Sequence, residues 1–289
     1  MENSVRFGTC SWNYNSWVPL VYPEKRSRAA EYLPLYARKY DTAEIDSWFY
    51  RIPEREEVME YREAVPETFR FTCKVPMRIT LTHHRKKNPD GTLNRNDECL
   101  SVPLFEEFIR VIEPVLDLTD AVMFEFEYLN KQKMSCVEDF IEAFERFCSG
   151  IPKGLPYAVE TRNGNYLGKP YFDFIRRNGL IHVFSEKIYM PHVYDLYAEM
   201  MPYITESGRS VLRLMGGDRK KIEAKANKRW DSIIEPKEDL DRIAEMIKRF
   251  STCVPVTVNV NNHYEGSAPR TIERIRERMD TPLKPDVPF

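Results

Sequence analysis

The chain has 289 residues, 42% of them hydrophobic and 30% charged, with a formal net charge of −2. That length fits one α/β barrel domain, for which about 250 residues is typical, and the near-neutral balance carries no general signal for a polyanionic partner. No apolar run approaches the roughly 18 residues of a membrane span, and none of the six cysteines has CxxC spacing, which argues against a zinc knuckle or a redox motif.

In chain order, alternating apolar runs predict strands at 5–10, 42–45, 69–74, 121–126, 157–160, 182–185, 210–214 and 256–260. The first run begins at Val5, with no signal-peptide pattern before it. Together with the scattered thiols this predicts a cytoplasmic protein. Helical patterns fill the gaps. Ser27 is a candidate cap for a helix over 27–40, and Pro53 opens one over 54–64 as a first-turn proline. Further helices are expected at 103–116, 137–148, 171–177 (stopped by Gly179), 237–250 and 268–279. Long connections at 75–102 and 215–236 follow strands three and seven and are expected over the active face. Eight strands alternating with helices predict a single (β/α)8 barrel over 1–280, followed by a proline-containing tail over 281–289.

Side chains alternate across a strand with period two. The apolar set of each strand must face the helices, which turns Glu44, Asp46, Thr72, Lys74, Glu125, Glu160, Arg213, Asn259 and Asn261 toward the axis. Arg162 follows Glu160 on the same face. Unpaired, each of these charges would cost several kcal/mol to bury. They therefore pair with one another, as an ion-pair plug, or with a ligand, and the ligand reading is preferred because the strand C-termini are the functional end of such barrels.

Several chemistries fit this set. Glu44 and Glu160 form a candidate acid/base pair, while Lys74, Arg162 and Arg213 suit a phosphate or carboxylate. Lys74 is also a candidate Schiff-base lysine. A divalent metal held by His83, His84, His263, Glu44 or Glu160 is an alternative that no ligand spacing favours, and no organic cofactor motif is present. Basic runs at 82–87 and 219–229 make nucleic acid a second candidate partner, with Trp12, Trp17, Trp48, Tyr50 and Tyr264 available to stack on bases or sugars. Asn261, Asn262 and His263 follow the last strand and are candidate ligand contacts, as is His83 on the strand-three loop. Nothing in the sequence specifies an oligomeric state.

Ordered phrases along the chain resemble the YecE-like family, the domain of unknown function 72. They are Gly8-Thr9-Cys10-Ser11-Trp12 with Trp17 and Tyr22-Pro23; Glu44-Ile45-Asp46 with Phe49-Tyr50-Arg51-Ile52-Pro53; Phe71, Lys74 and Thr82-His83; Val159-Glu160-Thr161-Arg162; Leu212-Arg213-Leu214 with Gly216; and Asn261-Asn262-His263-Tyr264-Glu265-Gly266. The resemblance implies a TIM barrel and no established activity. Asn163 and Met215 stand where the family usually has histidine, Asp46 where Asn is common, and Tyr166 where Trp is common. Without those two imidazoles a metal mechanism is disfavoured. Phosphodiester or phosphosugar chemistry by carboxylate acid/base catalysis is the expected function; a non-catalytic nucleic-acid or partner-binding module is the rival, and a metal-dependent endonuclease-like or sugar-isomerase-like enzyme a further one.

Overall fold

A strand that sends one row of side chains to helices and the other to an axis can close on itself only in a barrel. The computed structural model, which describes residues 5–280, has that form. The strands β1 (Val5–Cys10), β2 (Thr42–Ile45), β3 (Arg70–Lys74), β4 (Thr119–Glu125), β5 (Tyr157–Glu160), β6 (Ile181–Lys187), β7 (Ser210–Gly216) and β8 (Val256–Val260) are all parallel and close in sequence order. Val5 of β1 pairs with Val256 of β8. The chain is thus a (β/α)8 barrel, as the alternation predicts. The expected tail at 281–289 lies outside the described residues.

The helices are α1 (Ala29–Tyr36), α2 (Arg55–Glu63), α3 (Met77–Thr80), α4 (Val102–Ile112), α5 (Val137–Gly150), α6 (Lys169–Arg177), α7 (Val193–Ser207), α8 (Arg219–Ala226), α9 (Leu240–Cys253) and α10 (Ala268–Met279). Several boundaries differ from the expectation for local reasons. Ser27 does not cap α1; its N–H and that of Arg28 both donate to the Glu31 carboxylate, and Arg28 is the N-cap. Pro53 lies just outside α2, whose N-cap is Glu54. The α4 segment stops at Ile112 and tightens into a 3-10 turn over Glu113–Leu118, because Pro114 has no N–H for the α-helical ladder. Helix α9 starts at Leu240, three residues late, with Asp239 as its N-cap, and the Lys237 N–H ahead of it donates to Glu265 (2.7 Å). Helix α7, which carries Pro202 and ends at the left-handed Gly208, was not anticipated.

The outward rows pack under the helices. Phe105 of α4, Phe144 and Phe147 of α5, and Phe124 and Tyr157 of the strands form one aromatic cluster with centroids 5.1–5.9 Å apart. Such pairs add about 0.5–1.5 kcal/mol each beyond their burial. Inside the barrel Ala121, Met123, Ala158, Ile181, Val183 and Val211 form a small apolar plug. Polar side chains lie at both ends of the barrel.

The two long connections behave differently. The connection after β3 holds α3 and a short antiparallel bridge between His83 and Arg95, and it leans outward against α5. The connection after β7 carries α8 back over the mouth, where the Trp230 N–H donates to Ser16 and Glu223 meets His263. Gly216 lets the β8 loop close on β7. Its φ is +83°, and a Cβ there would lie 2.3 Å from the His263 carbonyl oxygen.

Candidate functional site

At the C-terminal end of the barrel, β2, β3, β4, β5 and β7 each send one charged side chain to the axis, as their parity predicts. Arg213 of β7 is the hub and is fully enclosed, with 0% exposure. Its Nε and Nη2 donate to the two oxygens of Glu44 at 2.7 and 2.6 Å, a bidentate clamp. Its Nη1 donates to Glu125 (3.1 Å) and to Glu160. Lys74 lies 3.0 Å from Glu125 and 3.7 Å from Glu44, and it also bonds Asp46. Arg162 donates through Nη2 to the other oxygen of Glu125.

Four carboxylates thus meet three cations, with Glu44, Glu160 and Arg213 enclosed and Asp46 and Arg162 partly open to solvent. Burial alone would push the Glu125 carboxyl up, but Lys74, Arg213 and Arg162 outweigh it and hold its pKa well below the usual carboxylate range. Burial likewise disfavours the Lys74 ammonium, and Glu125, Glu44 and Asp46 more than restore it, so its pKa is raised. The three carboxylates around its Nζ favour the charged amine over the neutral one that imine formation needs.

Three groups are left over. The second oxygen of Glu160, Oε1, is buried without a hydrogen-bond partner, and so is the Nε of Arg162. The third is Lys187 at the end of β6. It faces the axis on the parity of Ile181, Val183 and Ser185, and no ion pair is found for it among the described residues. Burial, and then the adjacent Arg162 charge, lower its pKa to about 8. Sequence reasoning missed Lys187 because the apolar run ends at Ser185, two residues before the strand does.

The other expected contacts divide. The expectation that Arg213 grips an anion meets a guanidinium whose three nitrogens each donate to a glutamate, Glu44, Glu125 or Glu160. Trp12 is buried, its indole N–H donating to the Ala29 carbonyl (2.9 Å) and its ring set edge-on to Tyr61, so it is core and offers no stacking face. Trp17, Trp48 and Tyr264 are buried as well, whereas Tyr50 is 69% exposed. Tyr128 and Tyr189, on the loops after β4 and β6, are exposed too and were not anticipated. Asn262 accepts the Ala268 N–H through Oδ1 at the start of α10 (2.9 Å), and its Nδ2 is buried without a hydrogen-bond partner. Asn261 turns to His263, its Oδ1 lying 2.5 Å from Nδ1, while Nε2 of His263 lies 3.0 Å from Glu223. Burial lowers the His263 pKa, with Glu223 opposing. His83 is not at the mouth. It lines a separate cavity of about 630 Å³ with Arg95, Gln132 and Lys133. Asn163 ties the β4 loop, its amide pairing both ways with the Leu129 backbone (2.8 and 2.9 Å), and Met215 lies against Cys10. In the basic 219–229 segment, Arg219, Lys225 and Arg229 pair with Glu223, Glu235 and Asp231, which weakens the polyanion signal.

The family model described as "Protein of unknown function DUF72" matches residues 6–288. A DUF72 protein from Thermotoga maritima superposes with a TM-score of 0.68 at 21% identity, over 96% of this chain and 99% of that one. One from Enterococcus faecalis gives 0.67 at 19% identity, over 97% of both chains. A D-psicose 3-epimerase from Clostridium cellulolyticum gives 0.51 at 10% identity, over 95% of this chain and 99% of that one, a likeness of fold. No curated protein matches in sequence. All six cysteines are free, and among the described residues no helix is long and apolar enough to cross a membrane.

Proposed function

The chain belongs to the DUF72 family, whose name carries no activity, and from its own side chains we propose that it binds a small phosphate-bearing ligand at the barrel mouth and acts on it by carboxylate acid/base chemistry. One observation carries this reading. Arg162, just past β5, and Lys187, at the end of the neighbouring β6, are like charges at one barrel end, and among the described residues no carboxylate pairs with Lys187 or with the Nε of Arg162. Two adjacent cations with unused donors are stabilised by an anion between them.

Glu160 supplies the acid/base group. Arg213 holds one of its oxygens and so fixes the side chain, while Oε1 carries no partner. A ligand anchored by its phosphate at Lys187 and Arg162 places a hydroxyl or an acidic carbon near that oxygen, which takes the proton and returns it. Glu44 and Glu125 hold Arg213 and Lys74 in place, so their role is positioning. Tyr50, open on the β2 loop, provides a face for the uncharged part of the ligand.

Calorimetry with inorganic phosphate and with a sugar phosphate tests the anchor. A charge-assisted hydrogen bond contributes about 1.5–3 kcal/mol, so Lys187→Met should weaken binding by roughly 10- to 100-fold. Equal affinity in the variant and the wild type would remove the anion reading.

A further inference from the structure

Glu186, next to Lys187, points the opposite way, out of the barrel and toward the helix layer. There it meets His192 and Asp239, the N-cap residues of α7 and α9. Glu186 Oε1 lies 2.8 Å from His192 Nδ1, and the same nitrogen is 3.9 Å from Asp239 Oδ2. One ligand atom from each of the three falls within 4.8 Å of the others.

We propose that Glu186, His192 and Asp239 form a binding site for one divalent ion of the manganese or zinc class. Two ligand atoms that each sit about 2.1 Å from an ion are roughly 3–4 Å from each other, and the spacings here, 2.8 Å, 3.9 Å and a third within 4.8 Å, bracket that range. One imidazole nitrogen with two carboxylate oxygens suits these ions, and two negative charges against a neutral ring balance a divalent cation.

The surroundings are those of a supported ligand set. The second oxygen of Glu186 accepts the Val193 N–H (2.9 Å), and Asp239 accepts the Tyr194 hydroxyl (3.0 Å). The Tyr194 ring stacks on His192, with centroids 5.0 Å apart. Partners of this kind fix the orientation of ligands before a metal arrives. A second, independent feature points into the same place. The buried Tyr264 hydroxyl has no hydrogen-bond partner, and its ring lines the cavity of about 350 Å³ that Glu186, His192 and Asp239 also line. After burial, the charges that most raise its pKa are those of Asp239 and Glu186. A metal-bound water would satisfy that hydroxyl. Two lysines, Lys187 and Lys237, share the lining, and the Lys237 amine lies 5.7 Å from the Tyr264 ring centroid.

None of these residues belongs to the metal set considered from the sequence, and the Arg213 cluster contributes nothing to the site. The test is a titration of chelator-stripped protein with Mn²⁺, read by electron paramagnetic resonance, and with Zn²⁺, read by calorimetry. Both are run without phosphate, so the outcome is independent of the anion reading. One equivalent of either ion per chain is expected, weakened at least tenfold by His192→Ala and by Asp239→Asn. The half-exposed His192 makes its variant a folded control, checked by an unchanged metal-free denaturation midpoint. Absence of binding by both ions up to millimolar concentration, or one equivalent retained by His192→Ala, as exposed Cys136 and Cys253 would produce with zinc, overturns the proposal.

Discussion

Both ends of this barrel are plugged by charge, and the two plugs differ in which charged groups they leave unused. At the N-terminal end Asp120, the extra residue where β3 and β4 shift register, accepts from Thr257 (2.8 Å), Arg209 (3.1 Å) and Arg6 (3.4 Å), which leaves neither carboxylate oxygen idle. At the C-terminal end four carboxylates and three cations pair, but Glu160 Oε1, Arg162 Nε and Lys187 remain over. A closed network stabilises the fold. A network with unpaired members at the mouth costs stability unless something else completes it, and that surplus separates a candidate site from a structural plug.

The strongest way to break this comparison is to remove the hub. Arg213→Met leaves Glu44 and Glu160 buried without their main countercharge. Each broken buried pair costs about 3–5 kcal/mol, against a typical domain stability of about 5–15 kcal/mol, so the variant should be unfolded or insoluble. Adding Glu44→Gln and Glu160→Gln removes the uncompensated charges and should restore a cooperative transition. A single variant that melts like the wild type would show that the network is not the structural hinge of the mouth.

The next largest effect separates chemistry from folding within the same cluster. Glu160→Gln keeps the shape and the hydrogen bond to Arg213 while removing the base. Once an activity is found, its rate should fall by about 10²–10⁴-fold, with the urea midpoint close to wild type. A loss of stability in step with the loss of rate would make Glu160 another member of the plug.

The sequence shows this cluster's composition better than its purpose. Period-two alternation is enough to turn Glu44, Lys74, Glu125, Glu160 and Arg213 inward, because one misplaced residue would send an entire apolar row to the wrong side. Direction, however, carries no distances. Arg213 reads as a ligand contact until the three glutamates around it are seen. Charged residues at a strand end look like loop, so the alternating pattern of β6 ends at Ser185 and leaves out Glu186 and Lys187. His83 follows β3 in the chain, yet its bridge to Arg95 carries it out to α5, a long-range event that local pattern does not encode. The Glu186, His192 and Asp239 group joins a strand to two helix starts more than 40 residues apart in the chain, and no spacing rule reaches that far.

The smallest effect belongs to the closed end. Asp120→Ala removes the partner of the buried Thr257 hydroxyl and the ion pairs to Arg6 and Arg209. Those arginine side chains are 24% and 38% exposed, so water replaces most of what they lose, and the pairs themselves contribute little. The unsatisfied threonine dominates, at about 1–3 kcal/mol. The urea midpoint should therefore drop modestly, while phosphate affinity and any turnover at the opposite end stay as in wild type. Lost ligand binding in a still-folded Asp120→Ala protein would mean that the two plugs communicate through the small apolar layer between them, and the division of the barrel into a structural end and a functional end would have to be abandoned.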